Sequence, residues 1–212
     1  MNIGGLDIGT TGCKLTVYQT DGTHLCTAYR AYDEMPDYAA KKTDPGLLHA
    51  GIIYEAVGEV IRETVKKTKV DAIGVTSFGE TFVLLDADDR ILLPSILYAD
   101  ARGVEECAVF AGRHTEQITG VAPGYLFSLP KIMWVKKHHP KAYEEAKRIL
   151  LMQDFVVYML TGTAQIDYSL ATRTMGFDIR KKRWSKTMFD LAGVETEKMS
   201  KPVPSGTVAG KS

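Results

Sequence analysis

The stretch GGLDIGTTGCKLTVYQTDG, residues 4–22, decides how the chain begins. Asn2 to Asp7 reads as a short buried strand. Cys13 to Tyr18 alternates apolar and polar residues and reads as a second strand. Gln19-Thr20-Asp21-Gly22 is a hairpin turn, because Asp-Gly supplies the left-handed position such a turn needs. Leu25 to Tyr32 reads as a third strand. The opening is therefore an antiparallel meander with Gly-Thr-Thr-Gly at its first bend. A Rossmann unit would lead from a glycine-rich turn into a helix, whereas here the turn leads into another strand.

Working outward, Asp33 to Gly46 is polar, contains Pro36 and Pro45, and reads as a loop. Leu48 to Lys67 carries Ile52, Ile53, Ala56, Val57, Val60, Ile61 and Val65 at helical spacing, with Asp44-Pro45 as its start signal. Val70 to Ser77 is a β-branched strand. Reached across a helix, it is expected to run parallel to its neighbour. Phe82 to Leu85 and Ile91 to Leu97 read as two further strands joined by Asp86-Ala87-Asp88-Asp89. From Arg102 the pattern is mostly helical: Glu105 to Ala111, Leu129 to Lys137, and Tyr143 to Leu160 with a break near Met152. Phe177 to Ile179 reads as a short strand, and Pro202 and Pro204 mark a loop. The order implies an α/β fold of the ribonuclease H-like (actin-like ATPase) class, a mixed central sheet with flanking helices.

Composition narrows the function. The 212 residues balance 26 Lys and Arg against 26 Asp and Glu, so the basic footprint of a nucleic-acid or anionic-membrane binder is missing. Three cysteines, Cys13, Cys26 and Cys107, show neither disulfide nor zinc spacing and read as reduced thiols. The N-terminus enters an apolar strand without a basic lead, so no signal peptide is expected, and no apolar run is long enough to span a bilayer. A cytoplasmic protein is the expectation. The five histidines show no metal spacing. His138 and His139 end a helix before Pro140, where a cation suits the helix dipole. Trp134 and Trp184 read as core or interface residues. Residues 206–212, GTVAGKS, imitate a phosphate-binding P-loop but are one residue short and are rejected as one.

At the first bend, Gly9 and Gly12 let backbone amides approach an anion closely, and Thr10 and Thr11 add hydroxyl donors. Asp7 repels phosphate but can hold Mg²⁺, which bridges to phosphate oxygens. A carboxylate ending an otherwise buried strand also asks for a partner. The bland alternative is a hairpin whose glycines only solve a backbone problem. Lys14 could reach a phosphate, although a solvated strand lysine is commoner.

LDIGTTGCKLTVYQTDG resembles the phosphate-binding hairpin of the FGGY carbohydrate kinases, which include xylulose, glycerol, gluconate and ribulose kinases. AIGVTSFGETFVLLDADDRILLPSILYADAR, residues 72–102, is similar to the family's second strand block, with Tyr98-Ala99-Asp100-Ala101-Arg102 for a Trp-x-Asp-x-Arg-like segment. PGYLFSLPKIMWVKKHHP (123–140), LLMQDFVVYMLTG (150–162) and DYSLATRTMGFDIRKKRWS (167–185) resemble further family segments, and VPSGTVAG (203–210) resembles the linker before the second domain.

The resemblance implies the actin-like ATPase fold, ATP and Mg²⁺ as cofactors and a small sugar as substrate, with no nucleic acid or membrane as partner. It implies transfer of the ATP γ-phosphoryl to a hydroxyl of a ketose, polyol or sugar acid, xylulose-like as the first expectation. Asp7 would organise Mg²⁺, and Gly9, Thr10 and Thr11, with Lys14, would hold phosphate. Glu80 sits where glycerol-type members carry a substrate-binding glutamate and xylulose-type members a histidine. Gly79 departs from the glycerol-type arginine. Phe78 could stack on a sugar face, and Asp100 and Arg102 could pair and position a hydroxyl. Asp154, Asp167 and Arg173 read as structural support or loop-ordering residues that could line the cleft. The family's catalytic aspartate lies beyond the linker. Residues 1–212 are thus expected to be an N-terminal domain with the ATP-binding domain absent, no catalytic base of its own and negligible turnover alone. Members are often dimers, so a homodimer is possible. Competing readings on the same fold are a non-catalytic sugar-sensing module, and an actin-like ATPase component, which would hydrolyse ATP without sugar.

Overall fold

The structure is a computed structural model and describes residues 1–41 and 44–211; Ser212, at the end of the rejected P-loop imitation, lies outside the described residues, as do Lys42 and Thr43 of the predicted loop. The chain opens with β1 (Asn2–Ile8), β2 (Gly12–Gln19) and β3 (His24–Ala31), followed by a one-turn helix α1 (Tyr38–Lys41). Then come β4 (Leu47–Leu48), α2 (Ala50–Lys67) and β5 (Ala72–Ser77). The chain divides into two compact units, residues 1–45 with 49–78, and residues 46–48 with 79–212.

In the first unit the sheet runs β3-β2-β1-β5. β1 pairs antiparallel with β2, placing Asp7 opposite Lys14, and parallel with β5, from Ile3 opposite Ala72 to Ile8 opposite Ser77. The meander and the parallel return follow the sequence reading. Strand alternation sends Leu6, Ile8, Leu15 and Val17 to one face, where all are fully buried. Ile52, Ile53, Ala56, Val57 and Val60 of α2 are buried at helical spacing, and α2 packs on β2 and β3. Each such aliphatic side chain contributes about 2 kcal/mol when fully buried. Arg30 of β3 pairs with Glu59 of α2 at 2.7 Å. Lys66 and Lys67 close the helix, where cations oppose its dipole. The helix starts later than Asp44-Pro45 suggests, because Leu47 and Leu48 are drawn out as β4 to pair with Ile96 and Ser95.

The second unit holds β6 (Phe82–Leu85), β7 (Ser95–Ile96), α3 (Val104–Cys107), α4 (Glu116–Thr119), α5 (Ser128–His138) and α6 (Pro140–Glu145). It continues with β8 (Arg148–Leu151), α7 (Met152–Thr161), β9 (Gln165–Asp167) and α8 (Tyr168–Thr172). It closes with β10 (Phe177–Asp178), β11 (Arg183–Trp184), α9 (Lys186–Ala192) and β12 (Lys201–Val203). Its core gathers Phe82, Phe110, Leu129, Ile132, Phe177 and Phe189 among others.

Three sequence expectations change here. The predicted helix 143–160 is interrupted by a whole strand, β8, which pairs antiparallel with β6. The predicted strand 91–97 shrinks to Ser95–Ile96, with Ile91 keeping one bridge to Leu85; Pro94 offers no N–H to continue a ladder. Pro202 lies in β12, parallel to β9, rather than in a loop. A two-stranded edge tolerates its missing donor. Among the described residues, no helix is long and apolar enough to cross a membrane.

Candidate functional site

In the first unit, the bend between β1 and β2 is closed by the Gly9 amide donating to the Gly12 carbonyl at 2.9 Å. Tyr32 fixes it from behind. Its amide donates to the Thr11 carbonyl at 2.9 Å, and its hydroxyl donates to the Gly9 carbonyl at 3.1 Å. Burial raises the Tyr32 phenol far above its usual range, so the hydroxyl stays a donor. Gly12 has no substitute. A Cβ there would lie 2.5 Å from the Tyr29 hydroxyl and 2.7 Å from the Arg30 carbonyl oxygen. Thr10 and Thr11 are exposed at the tip.

Asp7 is not a buried charge in need of a partner. Its side chain is 57% exposed, because alternation assigns the covered face to Leu6 and Ile8. Its nearest cation is Lys14, the cross-strand neighbour, at 4.0 Å. Asp7 and Lys14 thus form a loose, solvated pair of opposite charge on the two strands that flank the bend. Phe78 extends the ladder: its amide donates to the Ile8 carbonyl at 3.1 Å, and its ring is half-buried.

In the second unit, Glu80 occupies left-handed backbone, φ 66°, although it is not glycine. Such a conformation costs about 1 kcal/mol or more and marks segments their surroundings over-determine. Three contacts do so here. The Ser128 hydroxyl donates to the Glu80 carbonyl at 2.6 Å. Arg173 Nε donates to Glu80 Oε1 at 2.6 Å, and Nη2 pairs with the same oxygen. The Thr81 amide donates to the Gly79 carbonyl at 2.8 Å. The Glu80 side chain is only 9% exposed, against 44% for Arg173. The Arg173 guanidinium lies 5.2 Å from the Phe127 ring centre.

Asp100 and Arg102 do pair, Nε to Oδ1 at 3.3 Å, and both side chains are mostly buried. Asp100 Oδ1 also accepts the Arg102 amide at 2.9 Å. The guanidinium lies 5.5 Å from the Trp134 ring. Lys131, fully buried, donates to the carbonyls of Asp100 at 2.5 Å and Arg102 at 3.0 Å. Burial lowers its ammonium from 10.5 to about 8, with Asp100 acting against that. Gly103 takes φ 97° directly after this segment, and a Cβ there would lie 2.9 Å from the Pro130 carbonyl carbon.

Ser128 and Lys131 stand one turn apart on α5, so a single helix fixes both the Glu80 turn and the Asp100–Arg102 segment. Sequence reading missed that role for Ser128, Lys131 and Phe127. The only signal was the Pro130-Lys131 start of a helix with Trp134. Asp154 and Asp167 fit structural support. Asp154 is buried in the first turn of α7 and accepts from the Ser200 hydroxyl at 2.5 Å. Asp167 caps α8 by accepting the Leu170 amide at 2.8 Å. A groove lined by Trp184, Phe189, Asp190, Glu195 and Pro202 shares none of the predicted site residues.

Residues 2–212 match the FGGY family of carbohydrate kinases, N-terminal domain. The chain is 29% identical to a xylulose kinase of Escherichia coli (strain K12), covering 92% of this chain and 40% of that protein. It is 28% identical to a glycerol kinase of Thermococcus onnurineus (strain NA1), covering 89% of this chain and 40% of that protein. It superposes on the crystal structure of a xyloylose kinase from Brucella ovis with a TM-score of 0.86 and 26% identity, covering 96% of this chain and 43% of that one. The fold is the ribonuclease H-like, actin-like ATPase fold. The chain spans about 40% of the length of these curated relatives.

Proposed function

Since the chain belongs to the FGGY family of carbohydrate kinases through their N-terminal domain, we propose that it is the sugar-binding and phosphate-hairpin half of an ATP-dependent sugar kinase. The reaction is transfer of the ATP γ-phosphoryl to a hydroxyl of a ketose, polyol or sugar acid, with a xylulose-like ketose first. The ATP-holding half and the base that takes the hydroxyl proton belong to a C-terminal domain, so residues 1–212 alone turn over negligibly.

The observation that carries this reading is Glu80: a carboxylate held at φ 66° by a serine and an arginine from two other elements. Nε and Nη2 of Arg173 converge on Oε1, which leaves Oε2 as the acceptor for a substrate hydroxyl. A charged acceptor strengthens that hydrogen bond over a neutral one. Asp100 and Arg102, fixed by Lys131, add an acceptor and donors for further hydroxyls.

The hairpin suits MgATP. One solvated carboxylate, Asp7, beside the hydroxyls of Thr10 and Thr11 is a hard-oxygen set of the kind Mg²⁺ shares with substrate phosphates and water. Among the described residues no three His, Cys, Asp or Glu side chains gather as a closed metal cage. When bound, Mg²⁺ neutralises charge on the transferring phosphoryl group. The Gly9 amide is taken by the Gly12 carbonyl, so the amides of Thr10 and Thr11 at the tip, with the Lys14 ammonium, would orient phosphate oxygens.

The test is ADP release by the complete gene product with MgATP against ketoses, polyols and sugar acids, with the 212-residue chain alongside. A signal for one sugar class in the complete product and none in the short chain is expected. ADP release indifferent to every sugar would overturn the reading and favour an actin-like ATPase component.

A further inference from the structure

We propose that Arg173 is a positioning residue of the sugar site, holding Glu80 as a one-oxygen acceptor inside a net-neutral ion pair that takes a neutral polyol or ketose in preference to a sugar acid. The proposal rests on the kinase reading above. It extends that reading to a residue 93 positions from Glu80, which the sequence suggested as a loop-ordering residue that could line the cleft.

Four observations converge. The guanidinium engages Oε1 twice, through Nε at 2.6 Å and through Nη2. It therefore fixes which carboxylate oxygen is spent on the protein and which faces a ligand. Next, Gly79 is shaped around this arginine. A Cβ at residue 79 would lie 2.9 Å from Arg173 Cγ and 3.1 Å from its Cβ. The missing side chain at residue 79 is the space that Arg173 uses to reach Glu80. Third, the main chain of Arg173 is tied to the same helix end that holds Glu80. Its carbonyl accepts the Ser128 amide at 3.4 Å, the next carbonyl, of Thr174, accepts the Leu129 amide at 2.9 Å, and the Ser128 hydroxyl holds the Glu80 carbonyl. Glu80, Arg173 and Ser128 form a closed ring of contacts in which no member moves alone. Finally, the Phe127 ring faces the guanidinium and limits its swing.

The charge balance gives the substrate class. Glu80 is the only ion-pair partner recorded for Arg173 among the described residues, and the two charges cancel. A ligand carboxylate arriving here meets a guanidinium whose Nε edge is already taken by Glu80, and a carboxylate that repels it. A hydroxyl meets an open acceptor on Oε2.

The test is titration of the folded 212-residue chain with xylulose, glycerol and gluconate, followed by ¹⁵N-resolved NMR, with thermal unfolding measured on every variant. The variants are Arg173→Met, Arg173→Lys, Gly79→Ala, Glu80→Gln, and Glu80→Gln combined with Arg173→Met. Wild type should bind xylulose or glycerol more tightly than gluconate. Arg173→Met should weaken binding about ten-fold or more, the scale of a lost hydrogen bond to a charged group. Arg173→Lys should recover part of the loss. Gly79→Ala keeps both charged groups but displaces the arginine, and should weaken binding in the same direction; it carries the test if Arg173→Met does not fold. Arg173→Met should add nothing on a Glu80→Gln background, which a purely scaffolding arginine would not obey. Wild-type affinity in both Arg173→Met and Gly79→Ala, or tighter binding of gluconate by wild type, overturns the proposal while leaving the kinase reading intact. No binding of any of the three sugars by the wild-type chain also overturns the proposal, and the kinase reading is then judged by ADP release from the complete gene product.

Discussion

Lys131 buries its whole side chain and places its ammonium 2.5 Å from the main-chain carbonyl of Asp100, not against the Asp100 carboxylate. A charge held by carbonyl dipoles in a dry pocket is expensive, which is why burial lowers the ammonium to about 8. The folded chain therefore gives up this proton more readily than the unfolded chain, whose lysine titrates near 10.5. Stability should rise as pH climbs from about 8 towards 10. Lys131→Met should lose that rise, so that the gap between wild type and variant widens in favour of wild type by about 2 kcal/mol across the window. Urea midpoints of both proteins at pH 8 and pH 10 measure it, and the difference cancels the tyrosines and cysteines common to both.

Asp154 gives the opposite slope. It is fully buried, and burial raises its carboxyl from 3.8 to about 8 against the pull of the Ser200 hydroxyl and nearby amides. Its Oδ1 has no hydrogen-bond partner among the described residues. The acid is neutral in the folded state where the unfolded chain would ionise it, so stability falls as pH rises from about 4 to 8. Asp154→Asn should flatten this dependence. The variant should match wild type near pH 4 and exceed it by at least about 2 kcal/mol at pH 8. Thermal unfolding across that range checks the prediction.

Asp7 separates function from stability. Its carboxylate is solvated and sits 4.0 Å from Lys14, a surface pair of little worth. Asp7→Asn should leave the unfolding free energy within about 0.5 kcal/mol. In the complete gene product it should lower kcat by at least about ten-fold, the low end for losing a charge that acts on developing phosphoryl charge. Unchanged kcat would remove Asp7 from the phosphate hairpin.

Gly103 is a position where the backbone leaves no choice. At φ 97°, with a new Cβ 2.9 Å from the Pro130 carbonyl carbon, Gly103→Ala meets strain and main-chain collision together. A loss of about 2 kcal/mol or more is expected. The Asp100–Arg102 segment should loosen with it, seen as faster amide exchange at Arg102.

The opening of the chain was legible because its signals are local. Alternation in Cys13–Tyr18, the Asp21-Gly22 turn and the helical spacing after Ile52 each mark an element without reference to the rest. The Arg148–Leu151 strand was not legible. Its apolar run sits between helical patterns, and a short apolar run is the case where strand and buried helix look alike. Only its partner, Phe82–Leu85, decides the matter. The candidate site divides the same way. Glu80, Asp100 and Arg102 could be singled out from their segments, but what grips them comes from Ser128, Lys131 and Arg173, far along the chain. Asp7 shows the reverse error: a strand-end carboxylate read as buried turned out to lie on the exposed face, because alternation had already filled the covered one.

The two grips that α5 exerts fall on carbonyl oxygens. Ser128 holds the main chain of Glu80, and Lys131 holds the main chain of Asp100 and Arg102. Every residue type has a carbonyl in that place. The α5 share of the support beneath 80, 100 and 102 is therefore independent of their side chains. If residues 80, 100 and 102 read the sugar as proposed, such a scaffold can be handed from one sugar to another by point substitution, with the α5 grips unchanged.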